Sequence, residues 1–296
     1  MKKVKRSRIC TAALIFIFVL LTGCGKEEVK EESKTETLVT EQAEVEIPVP
    51  DKQEEMIEIP IEKEPVISAQ YTKTVTEAYG NDEITLLTKK VNDISFQIPE
   101  NEHAQEEINA FFEERNAAWE DTVALYVEVV EADYASWKEQ EDGGEWKTHE
   151  IGRLYEVKRL DEQMLCVVED TFVYTGGERT NYVRVAYNFD TWTGQRLSLE
   201  EAASHLDEIR MESLDYITEL LEEEEYEDVL KKDYANYLED ILTDSTWYTD
   251  DKGLYVICNE NIIAPAKEGI MEFFLPYDEV DVIDEVYQPE TETDSD

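Results

Sequence analysis

The residue whose setting dictates its chemistry most directly is Cys24. It ends the run Leu21-Thr22-Gly23-Cys24, behind an uncharged apolar stretch from Ile9 to Leu21 and a basic start holding Lys2, Lys3, Lys5, Arg6 and Arg8. Positive charge followed by an apolar run shorter than the roughly 20 residues of a spanning helix is the order of an export signal. The run matches a bacterial lipobox. Small Thr22 and Gly23 fit a tight peptidase site, and the Cys24 thiolate is the nucleophile that takes up a diacylglyceryl group. Cleavage before Cys24 and a lipid anchor at that residue are therefore expected, with the rest of the chain held at the cell membrane on the extracytoplasmic side. Two acyl chains anchor stably where one binds only marginally, each buried CH₂ contributing about 0.8 kcal/mol.

Catalytic chemistry is hard to assemble from the other residues. Only His103, His149 and His205 are present, and none has the spacing of a metal ligand or of a base beside a nucleophile. CxxC, HExxH, P-loop and nucleophile-elbow patterns do not occur. With 72 Asp and Glu residues, carboxylate pairs arise by chance, so no glycosidase-type pair stands out. The acidic stretch from Asp244 to Gly253 lacks the ligand order of a calcium loop and reads as a hairpin turn. No catalytic residue, metal or cofactor is expected.

Two loops are candidate ligand contacts. Gly176-Gly177 permits positive φ or close approach of a partner backbone and displays Glu178 and Arg179 beside Tyr174, although a plain hairpin turn explains the same residues. Pro265 after Ala264 bends a second connection. Cys166 and Cys258 lie in apolar, strand-like runs. Outside the cytoplasm they can oxidise if their Cα atoms approach within about 7 Å, and two buried free thiols fit equally.

The formal charge is −45. Removing residues 1–23 takes away five basic residues and no acidic ones, which leaves −50. Such a field repels nucleic acid and anionic headgroups and attracts basic proteins or cations, subject to salt screening. No nucleic-acid partner is expected. Residues 24–70 are Glu-rich, carry Pro48, Pro50, Pro60 and Pro65, and read as an extended stalk; residues 288–296 read as an acidic tail.

Residues 71–287 read as an α+β domain, divisible into subdomains at about residue 145. Strands are expected at Tyr71–Ala78 and Ile84–Thr88 around a turn at Gly80. Ile108, Phe111, Phe112, Trp119, Val123, Tyr126, Val130 and Tyr134 recur at spacings of three and four, which predicts a long amphipathic helix. Alternation predicts strands at Ile151–Leu160, Met164–Thr175 and Tyr182–Asp190 in a half-buried antiparallel sheet, with Val183, Val185, Tyr187 and Phe189 on one face and Arg184 and Asn188 on the other. Ser198 is expected to cap a helix through Leu221, a second helix is expected from Tyr226 to Leu242, and strands near Trp247, Leu254 and Gly269–Leu275 complete the domain.

Several segments together resemble the extracytoplasmic domain of the RsiV-like family, a domain of unknown function: Tyr174-Thr175-Gly176-Gly177, Asn188-Phe189-Asp190, Thr193-Gly194-Gln195-Arg196-Leu197-Ser198-Leu199, Lys252-Gly253-Leu254-Tyr255, Ile263-Ala264-Pro265 and Leu275-Pro276-Tyr277. The resemblance covers most of residues 71–280. It implies a sheet covered by helices, on the outside of mainly Gram-positive bacteria. In some members the domain sits on a membrane-anchored anti-sigma factor and receives lysozyme, and in others it accompanies a polysaccharide deacetylase; neither attachment is expected here. Where the family often continues its Gly-Gly with Ala-His, this chain has Glu178-Arg179, and Ile262 and Ala266 flank Ile263-Ala264-Pro265 where the family has an acidic residue and tyrosines. The expectation is a non-enzymatic surface lipoprotein that binds a cell-wall component or a lysozyme-like cationic protein, with a peptidoglycan-acting enzyme or a structural envelope protein as the alternatives.

Overall fold

The computed structural model describes residues 66–81, 84–140, 144–203, 205–280 and 283–288. Cys24, the export signal and nearly all of the expected stalk lie outside the described residues, as does almost all of the acidic tail. No described helix is long and apolar enough to cross a membrane.

The class is α+β, as expected. Strands β1 (Ser68–Tyr71), β2 (Val75–Asn81), β3 (Ile84–Val91) and β4 (Ile94–Gln97) lead into helix α1 (Glu102–Lys138). The long strands β5 (His149–Leu160), β6 (Met164–Tyr174) and β7 (Asn181–Asp190) follow, then helix α2 (Leu206–Leu220) and the short strands β8 (Trp247–Thr249), β9 (Gly253–Cys258) and β10 (Met271–Pro276). The central sheet has the order β2-β3-β5-β6-β7; β8 to β10 form a second sheet, and β1 pairs with β4. β3 and β5 run parallel, so the central sheet is mixed rather than purely antiparallel. That pairing also joins the two halves proposed on either side of residue 145. They share one sheet and are not separate subdomains. β1 begins inside the expected stalk, where Ile67 and Ala69 pack against the core.

The three long strands keep the alternation read from the sequence, but along the first half of β6 and the second half of β7 neither face is left to solvent. Leu165 and Val167 of β6, with Tyr187 and Phe189 of β7, pack under α1 against Ile108 and Phe112. Met164, Cys166, Val168 and Ala186 pack the other way, against Trp247, Val256, Phe273, Ile209 and Ile217. Asn188, expected on a solvated face, is fully buried and donates to the Trp247 carbonyl at 2.8 Å. The half-buried sheet is thus corrected to the middle layer of three, because β8 to β10 and α2 cover what polar Arg184 and Asn188 marked as open.

Helix α1 is fixed at its start by Asn101. The Asn101 side chain accepts from the Ala104 N–H at 3.2 Å and donates to the Thr191 and Trp192 carbonyls at 3.2 and 2.6 Å, satisfying an orphan donor of the first turn. The tie brings the loop after β7 against the helix so closely that a Cβ on Gly194, whose φ is 75°, would stand 2.7 Å from the Ala104 Cα.

Two helix expectations need correction. Ser198 does form a reciprocal cap with Glu201, at 2.9 Å from the Ser198 N–H to the carboxylate and 3.2 Å from the Glu201 N–H to the hydroxyl. It closes one isolated turn; α2 starts later, behind His205, with no side-chain cap. The second helix is replaced by 3₁₀ turns at Glu224–Tyr226 and Tyr234–Asp240. The Lys231 N–H donates to the Ile263 carbonyl at 2.9 Å, and a donor committed to another loop cannot continue a helical ladder.

Candidate functional site

The two loops singled out in the sequence meet. The β6–β7 hairpin carries Gly176 to Arg179, and the connection from β9 to β10 carries Glu260 and Pro265. The Arg179 guanidinium donates to the Glu260 carboxylate and, through Nε, to the Thr180 carbonyl at 3.3 Å. Asn259 docks the second loop on β7: its Oδ1 accepts from the Arg184 N–H at 2.7 Å and its Nδ2 donates to the Arg184 carbonyl at 2.9 Å. A side-chain amide that pairs both main-chain groups of one residue substitutes for a neighbouring strand. Pro265 then opens a single 3₁₀ turn, Ala266–Glu268.

The individual positions differ in what they offer. Tyr174 ends β6 opposite Glu150 of β5 and is half-buried. Gly176 has φ 75°, a left-handed conformation that favours glycine, and a Cβ there would lie 3.5 Å from the Lys147 Cβ and 3.7 Å from the His149 Nε2. Gly177 is open, with nothing within 4 Å of a Cβ, and Glu178 beside it is exposed. The pair of glycines therefore splits into one structural position and one facing solvent.

Sequence reasoning missed the residues under this hairpin. His149 is buried and stacks on Trp146, with ring centroids 5.2 Å apart; Trp146 in turn meets Tyr134 at 5.1 Å and Trp137 at 5.8 Å. Burial holds the His149 imidazole below its ordinary pKa, partly opposed by the charge of Asp133. The signal available was the pairing of β5 with β6, which sets His149 beside the start of the Gly176 loop.

Cys166 and Cys258 are both free and buried, so the disulfide does not form. The Cys166 Sγ lies 3.6 Å from the Thr249 hydroxyl, and the Cys258 Sγ faces the Asn259 carbonyl at 3.8 Å. Burial pushes both thiols up to about 11. The most buried carboxylate among the described residues, Glu169, is gripped through both oxygens by Arg115 Nη2 at 2.6 Å and Nε at 3.3 Å. Among the described residues no group of three or more His, Cys, Asp or Glu side chains is arranged to hold a metal ion.

No family model matches the sequence, and no curated protein does. Solved structures do. A member of the DUF3298 family from Bacteroides fragilis NCTC 9343 is 17% identical, with a TM-score of 0.56 over 73% of this chain and 93% of that one. A DUF3298 family protein from Pseudomonas aeruginosa PAO1 is 13% identical, with a TM-score of 0.46 over 77% of this chain and 98% of that one. The likeness to the first is one of fold, and fold alone does not assign function. The chain thus shares its α+β architecture with a solved member of DUF3298, a family of domains of unknown function.

Proposed function

We propose that this chain is a surface lipoprotein of the RsiV-like kind, anchored through Cys24, whose domain is a non-enzymatic module that binds an extracellular ligand at the edge made by the β6–β7 and β9–β10 loops. The observation that carries the reading is the Arg179–Glu260 ion pair, which locks two otherwise separate loops into one surface while Gly177 and Glu178 stay open to solvent. A preorganised surface loses less ordering entropy when a partner arrives. The charge of −50 left after cleavage before Cys24 favours a cationic protein of the lysozyme type over a wall glycan, chiefly by raising the on-rate. Calorimetric titration of the full chain, in neutral detergent, with lysozyme at low and physiological salt tests the reading. Saturable one-to-one binding at physiological salt, weakened by Gly177→Trp, is the expected result. Heat that disappears with salt marks mere charge attraction and would redirect the search to wall fragments.

A further inference from the structure

Five arginines of the described residues, Arg115, Arg153, Arg159, Arg179 and Arg184, each hold a carboxylate. Arg196 does not. It is exposed, and its guanidinium carbon lies 5.3 Å from the centre of the Tyr187 ring and 5.5 Å from that of Phe111. Arg115 approaches the same Tyr187 ring at 5.3 Å. Two guanidinium groups therefore attend one phenol on the seam between α1 and β7, in a chain with 72 acidic residues and 27 basic ones.

Their donors are not used up. Arg115 engages Glu169 through Nε and Nη2, which leaves Nη1 without a protein partner among the described residues, and its side chain is 40% exposed. Arg196 makes no hydrogen bond with any described residue. The Tyr187 residue is 5% exposed, and its hydroxyl, which is not among the buried unpartnered polar atoms, makes no hydrogen bond with a described residue and is left as a donor. Partial desolvation beside the two rings, reinforced by the charge of Arg115, lowers the Arg196 pKa against the opposing pull of Tyr187 and Asp244. Two like charges beside one phenol ring are an arrangement that an oxyanion relieves, since a guanidinium edge offers two parallel N–H donors to a carboxylate or phosphate.

We propose that Arg196, Arg115 and Tyr187 form a binding site for one oxyanion, a carboxylate or a phosphate group carried on a small molecule or a polymer. The site lies toward the opposite end of β7 from Arg179 and is independent of the ligand edge proposed above. The Phe111 and Tyr187 rings flank the Arg196 guanidinium and limit its freedom, so less ordering is needed when the anion arrives. The overall negative field opposes capture, and two or three charge-assisted hydrogen bonds support a dissociation constant on the order of 1 mM.

The test uses the full chain in neutral detergent micelles, isotope-labelled, with sodium phosphate or sodium acetate added at constant ionic strength. Saturable shifts of the Arg196 and Arg115 Nε–H resonances are expected. Arg196→Gln should weaken binding at least tenfold, and Tyr187→Phe, which keeps the ring and removes only the hydroxyl, about threefold. Stronger response to phosphate assigns a phosphate-bearing ligand, and stronger response to acetate a carboxylate. Shifts that do not saturate with either anion, that chloride alone reproduces, or that persist in Arg196→Gln and Tyr187→Phe would overturn the site.

Discussion

Arg179 on the β6–β7 hairpin is ion-paired with Glu260 on the β9–β10 connection, across 81 positions of sequence, and the Glu260 side chain is only 9% exposed while that of Arg179 is 36% exposed. The asymmetry sets what each substitution does. Arg179→Ala leaves a nearly buried carboxylate without its cation, and this half-exposed pair stands between the surface and buried cases, so a loss of about 1–2 kcal/mol is expected. Glu260→Gln leaves an arginine that turns to water and should cost less. Urea unfolding of both variants checks the order; an equal cost, or a milder Arg179→Ala, would place the pair among inert surface bridges. Hydrogen exchange should rise in residues 175–180 of the Arg179 variant, because the hairpin then loses its tie to the neighbouring loop.

Stability should fall as pH drops from about 7 toward 5, and His149 should carry part of the fall. Burial lowers its pKa in the native state, while the unfolded imidazole titrates near 6.5. Below that pH the unfolded chain takes a proton that the folded chain refuses, so unfolding gains. Glu77 and Glu201, whose carboxyls are held below their ordinary range by Lys89 and by Ser198, contribute stability that is lost only at more acid pH, as their native pKa values are passed. His149→Gln should therefore flatten the urea midpoint between pH 7 and 5 and leave the acid limb unchanged. An unaltered profile would show that His149 is accessible to protons in the native fold.

The free thiols should be inert until the domain opens. With both Cys166 and Cys258 pushed up to about 11, about one thiol in a thousand is ionised at pH 8, and both are buried from reagent. Alkylation followed by peptide mass spectrometry should label neither residue in the native chain and both in urea. A disulfide between them, found under oxidising conditions without unfolding, would contradict the packing, since Cys166 faces Thr249 and Cys258 faces Asn259.

Much of the fold was legible because burial imposes a period. The residues of β5 to β7 alternate so regularly that their limits are close to those read from sequence, and Ile108, Phe112, Val123 and Val130 recur along one face of α1. What failed had physical causes that local pattern does not carry. Tyr226, Leu230 and Tyr234 do pack against the core, which gives a helical spacing, but the Lys231 N–H is committed to Ile263 and the ladder breaks. Asn188 and Arg184 read as solvent-facing because they are polar; Trp247 and Asp170 supply their partners from elsewhere in the chain. β1 has four residues amid an acidic stretch, too few for alternation to show. The candidate loops were visible through their glycines, whereas Glu260 is one carboxylate among many until Arg179 is seen to reach it.

Gly176 and Gly177 should separate folding from binding. Gly176→Ala forces a side chain into a left-handed backbone with φ 75°, a strain of about 1–2 kcal/mol, while its Cβ meets Lys147 and His149 only at ordinary contact distances. The expected result is a lower thermal midpoint with ligand affinity unchanged once the chain is folded. Gly177 has no such demand and no neighbour within 4 Å, so Gly177→Ser should leave stability within about 0.5 kcal/mol of the parent, and Gly177→Trp should act on binding alone by crowding the exposed tip. Thermal scans paired with lysozyme calorimetry read both effects in one series. If Gly177→Trp binds as tightly as the parent, the loop edge is not where a partner docks, because an indole added at an open tip cannot avoid a surface that covers it.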